Sequence, residues 1–352
     1  MKTLLDSTKI GSMTLKNRFI RAAIGDSAVG GHLTASMLEL YGSLAKGGVG
    51  TIITGFTLVD EAEGLFPMPA MYADSFVDEY TKMTDLVHEQ EAKIILQLVY
   101  VGSYVMGETG GRTVLGPSSV ANLNNGITPK EMDIEEIKTV QNKFAQAAVR
   151  AQKAGFDGIE IHAAHGFLLN QFITPYYNRR SDLYGGSIEN RARMVLEIYS
   201  AIREAVGKDY PVWFKLNCKD GFEGGLSHDD FRYVCRELTR LGADAIELSG
   251  NWSAHANDTE PYFKEEAAEI AEENQIAVIL TGGNRDFRQM EQLLNTTHIG
   301  YFGMARPFIS EPDLVDRYQK EHLERISCVR CNGCFKNPSR RCIQNQKPSL
   351  EV

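Results

Sequence analysis

The chain has 352 residues, of which 43% are hydrophobic and 24% charged, proportions of a globular enzyme rather than of a disordered, collagen-like or coiled-coil protein. Its formal net charge of -9 argues against nucleic-acid binding and against adhesion to anionic membranes, since both need clustered positive charge. Met1 to Lys16 resemble no signal peptide, and no segment is long and apolar enough to span a bilayer. The six cysteines are too sparse for a disulfide scaffold. We therefore expect a cytoplasmic protein.

Short apolar runs recur along the chain and alternate with longer amphipathic stretches. They are nearly continuous in apolar character, which is typical of strands buried on both faces of a parallel sheet. The predicted strands are Arg18–Ala23, Gly50–Thr54, Lys93–Leu98, Gly158–His162, Val212–Leu216, Ala245–Ser249, Ala277–Thr281 and Ile299–Met304.

Helical periodicity fills the intervals, most clearly in Asp133–Gln152, Ser187–Val206 and Leu226–Leu241. The last of these has Ser227 as its expected N-cap and is followed by Gly242, a residue that often ends a helix. Eight strands alternating with helices predict an α/β protein with a (β/α)8 TIM barrel. A doubly wound sheet is the alternative, weakened because no Gly-x-Gly-x-x-Gly follows the first strand.

Two long intervals follow predicted strands and should lie over the carboxyl end of the barrel, where active sites are built. One is a long excursion after strand 3, from Gly102 to Met132, and the other runs from His165 to Leu183. We expect one barrel domain in residues 1–325 and a short cysteine-containing tail in residues 326–352.

The sharpest local pattern is His162-Ala-Ala-His165, directly after the fourth strand. Two imidazoles at the carboxyl end of a barrel strand can both donate hydrogen bonds to a carbonyl or phenolate oxygen and stabilise negative charge that develops there. The residues alone leave two other interpretations: a pair of metal ligands, or one structural histidine.

The whole run from His162 to Arg193 closely resembles the Old Yellow Enzyme family of FMN-dependent ene reductases. The resemblance extends to Lys16-Asn-Arg-Phe, to Gln97, to Thr281-Gly-Gly and to Gly303-Met-Ala-Arg-Pro, and so covers residues 1 to about 320. It implies an FMN-dependent NADH or NADPH oxidoreductase that reduces activated C=C bonds of small electrophilic alkenes. Its alternatives are another FMN barrel, such as a hydroxy-acid dehydrogenase, and a non-catalytic redox or metal-binding module.

The resemblance also implies roles for individual residues. His162 and His165 would be the catalytic residues that hold the activating oxygen of the alkene, Gln97 and Lys215 would bind the pyrimidine end of FMN, and Arg306 would bind its phosphate. The full implied cofactor-binding set is Ala22, Ala23, Ile24, Gly55, Gln97, Lys215, Gly282, Gly283, Ala305 and Arg306. A homo-oligomer is compatible with this reading.

The sequence departs from the family pattern in the substrate region. Gly25 stands where the family often has a thiol or hydroxyl near the flavin, and Phe167 stands where it commonly has a tyrosine that donates a proton to the substrate. A phenyl ring cannot donate a proton. The proton would then come from water or from another group, with four tyrosines in the predicted cleft loops as candidates: Tyr100, Tyr104, Tyr176 and Tyr177.

The tail contains Cys328, Cys331, Cys334 and Cys342 at spacings of two, two and seven residues. Such thiols could hold a 4Fe-4S cluster or zinc, or could pack as reduced cysteines. The tail is similar to that of the 2,4-dienoyl-CoA reductase branch of the family, which has a longer spacing after the third cysteine. That branch also carries a further flavin and dinucleotide domain, which we do not expect here. An iron–sulfur flavoprotein of this kind is a further alternative.

Overall fold

Eight parallel strands form the centre of the molecule. The structure is a computed structural model that describes residues 1–63, 67–105, 109–250, 261–337 and 341–344. Each strand pairs with the next along the chain, and the eighth pairs with the first through Phe302 and Phe19, so the sheet closes. The predicted (β/α)8 barrel is therefore confirmed. In chain order, barrel strands 1 to 8 are Phe19–Arg21, Thr51–Ile53, Lys93–Val99, Gly158–Ala163, Val212–Asn217, Ala245–Ser249, Ala277–Thr281 and Tyr301–Met304.

Helices surround the barrel and cover the outer face of its strands. Their bounds are Ala35–Lys46, Val77–His88, Ile134–Lys153, Leu168–Ile173, Ile188–Arg191, Arg193–Val206, His228–Leu241, Lys264–Glu273, Phe287–Thr296, Arg306–Ser310, Leu314–Glu321 and Gly333–Lys336, with 3-10 turns at Glu61–Glu63 and Asp74–Phe76. None of the described helices is both long and apolar enough to cross a membrane.

The helix ends follow local chemistry. The Ser227 hydroxyl accepts a hydrogen bond from the Asp230 N–H, and Gly242 adopts the left-handed conformation (φ 93°) that ends the helix, as predicted. The helix predicted over Ser187–Val206 is wrong as one element, because it is interrupted at Ala192 and forms two helices.

Side chains inside the barrel separate into an apolar and a polar layer. Because successive strand residues point to opposite faces, every second residue of each strand faces the interior. In strand 5, Trp213 lies in the apolar layer, whereas Lys215 and Asn217 face the cavity at the carboxyl end. The apolar layer consists of Ile20, Ile53, Ile95, Trp213, Ala245, Ile279 and Tyr301.

An N-terminal hairpin that the sequence reading did not predict packs on this apolar layer. Its strands, Thr8–Ile10 and Met13–Leu15, pair antiparallel, and the side chains of Ile10, Met13 and Leu15 join the same buried cluster. The hairpin thus covers the end of the barrel opposite the cavity.

The excursion after strand 3 has little regular structure in its described part. Leu115–Gly116 pairs with Lys130–Glu131, and Thr57–Leu58 adds a short strand beside strand 3. Asn125 Nδ2 donates to the carbonyl oxygens of Ser103 and Val105 at 3.0 and 2.6 Å, which ties the middle of the excursion to its start.

Candidate active site

A cavity of about 700 Å³ opens at the carboxyl end of the barrel. Most residues that the sequence singled out line it, contributed by strands 1, 3, 4, 5, 7 and 8 or the loops that follow them. They are Ala22, Ala23, Ile24, Gln97, His162, His165, Lys215, Gly282, Ala305 and Arg306. The fold therefore brings together side chains up to about 285 residues apart in sequence.

Gly55 and Gly283 do not line this cavity. The Gly55 N–H donates to Tyr41 Oη at 2.9 Å and to Asp26 Oδ2 at 3.1 Å, and a Cβ at Gly55 would lie 2.5 Å from Asp26 Oδ2. Gly55 thus supports the wall behind the cavity through a close backbone approach. Gly283 has a φ of 79° and lies in the turn after strand 7.

One end of the cavity has the character of a phosphate site. Gly282 has a φ of 109°, and Arg306 begins the short helix after strand 8. Arg306 donates to Asn332 Oδ1 at 2.6 Å, while Asn284 Nδ2 donates to carbonyl oxygens of strands 7 and 8 and holds this end of the barrel together. A guanidinium beside a glycine turn is well suited to an anionic phosphate.

Deeper in the cavity lies a buried polar group that suits the pyrimidine end of a flavin. Gln97 Nε2 donates to Glu160 Oε2 at 2.5 Å, and Lys215 Nζ donates to Glu247 Oε1 at 2.7 Å. Gln97 Oε1 is buried and unpartnered among the described residues, so it is an acceptor available to a ligand N–H. Together with the Lys215 ammonium, this donor and acceptor set fits FMN.

The two histidines occupy different hydrogen-bonding environments. His162 Nδ1 accepts from the Ala164 N–H at 3.2 Å, which places the proton of the neutral ring on Nε2. His165 Nε2 instead lies 2.7 Å from Ser249 Oγ, and the His165 N–H donates to Asn217 Oδ1 at 3.1 Å. The two rings are 5.0 Å apart and nearly perpendicular.

Both histidines are neutral near pH 7. Burial, with smaller contributions from neighbouring charges including Lys215, lowers the pKa of His165 to about 3 and the pKa of His162 well below its usual value. At neutral pH the pair therefore offers neutral hydrogen-bond partners to a ligand.

Aromatic rings form the wall beside His162. The Phe167 ring lies 4.7 Å from that of His162, 5.4 Å from Phe56 and 5.3 Å from Tyr104. A Cβ at Gly25 would approach Phe56 Cε1 to 3.0 Å, so the Phe56 ring takes the space beside Gly25. The two departures of the sequence from the family pattern thus belong to one apolar wall.

The structure separates the four candidate tyrosines. Tyr104 and Tyr177 line the cavity, whereas Tyr100 and Tyr176 do not. Tyr177 Oη accepts a hydrogen bond from the Leu123 N–H at 3.4 Å, and burial raises the pKa of Tyr177. Of these two, Tyr104 is the one whose ring contacts Phe167.

The tail folds back onto the mouth of the barrel. Arg285 Nη2 donates to the Cys328 carbonyl oxygen at 2.5 Å, and Phe335 lines the cavity. Cys328, Cys331, Cys334 and Cys342 are all free thiols. Across the described ranges no three Cys, His, Asp or Glu side chains are arranged to hold a metal ion.

Sequence reasoning missed the two buried carboxyl groups, Glu160 and Glu247. A signal was present: in strands 4, 5 and 6 every second residue near the carboxyl end is polar, as in Glu160 and His162, or Glu247 and Ser249. Period-two polarity inside an apolar run indicates a face that turns toward the barrel interior.

Comparison with known proteins gives consistent matches. Residues 3–325 match the family described as NADH:flavin oxidoreductase / NADH oxidase. The chain is 30% identical over 365 residues to a metal reductase of Desulforamulus reducens, covering 100% of this chain and 55% of that protein. It is 32% identical over 317 residues to the NADPH dehydrogenase of Bacillus subtilis, covering 88% of this chain and 92% of that protein.

The fold is also similar to solved structures. Morphinone reductase in complex with tetrahydroNAD superimposes with a TM-score of 0.79 at 27% identity, covering 94% of this chain and 93% of that one. The chain spans about half the length of several curated relatives that it matches, the metal reductase among them.

Proposed function

Because the chain belongs to the NADH:flavin oxidoreductase / NADH oxidase family, the Old Yellow Enzyme family, we propose that it is an FMN-dependent NAD(P)H oxidoreductase that reduces activated C=C bonds. The observation that carries the proposal is that one cavity is lined by an imidazole donor, His162, and by Gln97 and Lys215, whose side chains suit the pyrimidine end of a flavin. The substrate class is a small electrophilic alkene conjugated to an oxygen-bearing group.

Gln97, Lys215 and Arg306 would hold FMN, and the bound cofactor would supply hydride transfer from NADH or NADPH to the alkene. His162 holds the activating oxygen of the alkene through Nε2–H and stabilises the negative charge that grows there. Ser249 and Asn217 hold His165, the second ring of the pair, in place through hydrogen bonds. The wall of Phe56 and Phe167 excludes water from the face it covers and offers no proton to the substrate.

The test of the function is a pair of anaerobic half-reactions on the purified flavoprotein. We expect NADH or NADPH to bleach the flavin absorbance at one rate, and a simple cyclic enone to restore it at a second rate that depends on enone concentration. A protein that contains FMN and is reduced by nicotinamide, yet is never reoxidised by any enone in a conjugated series, would overturn the assignment of the substrate class.

The phosphate site has its own test. Arg306→Ala should weaken FMN binding because it removes the cation at the phosphate end of the cavity, and loss of flavin fluorescence quenching measures the change. Arg288→Ala is the matched control, since Arg288 is an exposed arginine that pairs with Glu324 away from the cavity. Equal FMN affinity in both variants would show that Arg306 does not bind the phosphate.

A further inference from the structure

Inside the barrel, at the floor of the cavity, four side chains form a buried group that we call the interior cluster: Gln97, Glu160, Lys215 and Glu247. Glu160 and Glu247 are completely buried, and the Lys215 side chain is 3% exposed. Glu160 lies directly opposite Gln97 on strands 4 and 3, and Lys215 lies opposite Glu247 on strands 5 and 6. The cluster is the polar layer between the apolar barrel interior and the cavity.

The charges of the cluster do not match one to one. It contains one ammonium group and two carboxyl groups, and two ionised carboxylates this deeply buried beside one cation are strongly disfavoured. Burial and the charge of Glu247 raise the pKa of Glu160 well above its usual value, whereas Lys215, acting against burial, lowers the pKa of Glu247. Only one proton is needed to make the cluster electrically neutral.

The hydrogen bonds agree with one shared proton. Among the described residues Gln97 Oε1, Glu160 Oε1 and Glu247 Oε2 are buried acceptors without a partner. A proton on Glu160 makes that carboxyl a donor, which reduces the number of unsatisfied oxygens. The same neighbours thus determine both the charge and the hydrogen bonding of the cluster.

We propose that Glu160 and Glu247 are a pair of positioning residues that share one proton and keep Lys215 matched by a single negative charge, and so set the reduction potential of the flavin above them. The proposal rests on the proposed function, since it requires FMN in the cavity. With its charge matched, Lys215 stabilises the negative charge of reduced flavin near N1 and O2 less than an isolated cation would. The pair therefore keeps the flavin a stronger hydride donor.

The shared proton makes a specific prediction for single and double variants. Glu160→Gln leaves Glu247 ionised, and Glu247→Gln leaves Glu160 free to ionise beside Lys215, so either single variant retains one carboxylate. Both should have flavin potentials close to that of the wild type. Glu160→Gln with Glu247→Gln leaves Lys215 unmatched, and should raise the ratio of affinities for reduced and oxidised FMN at least about tenfold, or about 30 mV for a two-electron couple.

The measurement is the midpoint potential of the holoenzyme against a reference dye, with FMN content determined in the same samples. Glu197→Gln is the matched control, because Glu197 is a partly buried carboxylate on an outer helix, paired with Lys138. An unchanged potential in the double variant overturns the inference, and so does a single variant that shifts as far as the double. Absence of bound FMN in the wild type would instead contradict the proposed function.

A second readout needs only the single variants, should the double variant fail to fold. Infrared difference spectra between the FMN-bound wild type and each FMN-bound single variant are the measurement. They should show the carbonyl band of one protonated carboxyl group that is present in the wild type and lost in Glu160→Gln. The same band should also be lost in Glu247→Gln, because Glu160 then ionises. Persistence of the band in Glu247→Gln would show that the two carboxyl groups titrate independently, and would overturn the shared proton.

Discussion

At the scale of single residues, the chemistry depends on how each functional group is held. His162 presents Nε2–H because the backbone N–H of Ala164 occupies its Nδ1. His165 has a φ of 58°, an unusual backbone conformation that accompanies the hydrogen bond from its N–H to Asn217. The two histidines of one motif therefore lie in separate environments: His162 offers Nε2–H to the cavity, and the His165 ring is held against Ser249 of strand 6.

Replacing both histidines with alanine should remove the long-wavelength charge-transfer band that phenolates give with oxidised flavin. Loss of one strong hydrogen bond to a charged oxygen should weaken phenolate binding by about 1.5–3 kcal/mol. Because the pKa of His165 is lowered to about 3 and that of His162 is also lowered, binding to the wild type should show no histidine titration between about pH 5 and 8. Spectral titration with a phenol across that range measures both effects, and normal binding by the double variant would make the pair structural.

Phe167→Tyr tests the missing proton donor. A positioned general acid is typically worth about 10²–10⁴ in rate, so the variant should be reoxidised faster by enones while its reduction by nicotinamide is nearly unchanged. The comparison variant is Tyr104→Phe, which removes the hydroxyl of a cavity-lining tyrosine whose ring contacts that of Phe167. Single-turnover measurements of flavin reoxidation test this. If Tyr104→Phe is reoxidised much more slowly than the wild type and Phe167→Tyr no faster, Tyr104 is a substitute donor and protonation by water is contradicted.

At the scale of elements, short contacts connect the loops to the strand ends. Glu63, at the end of the 3-10 turn Glu61–Glu63, accepts hydrogen bonds from the N–H groups of Val101 and Gly102 at 2.5 and 3.1 Å through one oxygen. The turn after the second strand is thereby tied to the end of strand 3, beside Tyr100 and Tyr104. This carboxyl group acts as an anchor between two loops over the barrel mouth.

The anchor should make stability depend on pH. Burial of the carboxyl group raises the pKa of Glu63 to about 8, so the folded state binds a proton more tightly than the unfolded state does. The contribution of Glu63 to the free energy of unfolding is therefore fully present below about pH 4.5 and is lost as the pH rises through about 8. Glu63→Gln keeps an acceptor oxygen but cannot ionise. In this variant the free energy of unfolding, measured in urea, should therefore vary less with pH over this range. A wild type and variant with parallel profiles from pH 5 to 9 would contradict the assignment.

At the scale of the whole molecule, the N-terminal hairpin and the cavity lie at opposite ends of one barrel. Leu15 is completely buried in the cluster with Ile20 and Trp213. Leu15→Ala should lower the free energy of unfolding by about 2–5 kcal/mol, the usual effect of a buried large-to-small change. Lys9→Ala on the same hairpin is the control, since Lys9 is exposed and should change stability little. Denaturant unfolding of the two variants measures the difference; equal effects would show that the hairpin does not close the core.

The sequence by itself determined the barrel, because eight apolar runs separated by capped amphipathic helices have few other ways to bury both faces of their strands. It also predicted the place of His162 and His165, since a motif after a barrel strand must lie at the carboxyl end. Local signals of this kind, such as Ser227 and Gly242, depend on near neighbours in the chain.

What only the tertiary structure decided involves residues that are distant in sequence. The break at Ala192, the hairpin that covers the barrel and the contact of Phe56 with Gly25 depend on packing, which no local pattern contains. The pairing of Glu160 with Glu247 also depends on packing: period-two polarity assigns each to the interior face of its own strand but does not bring the two together. They become a pair around Lys215 because closing the barrel places three strands side by side and removes water from between them.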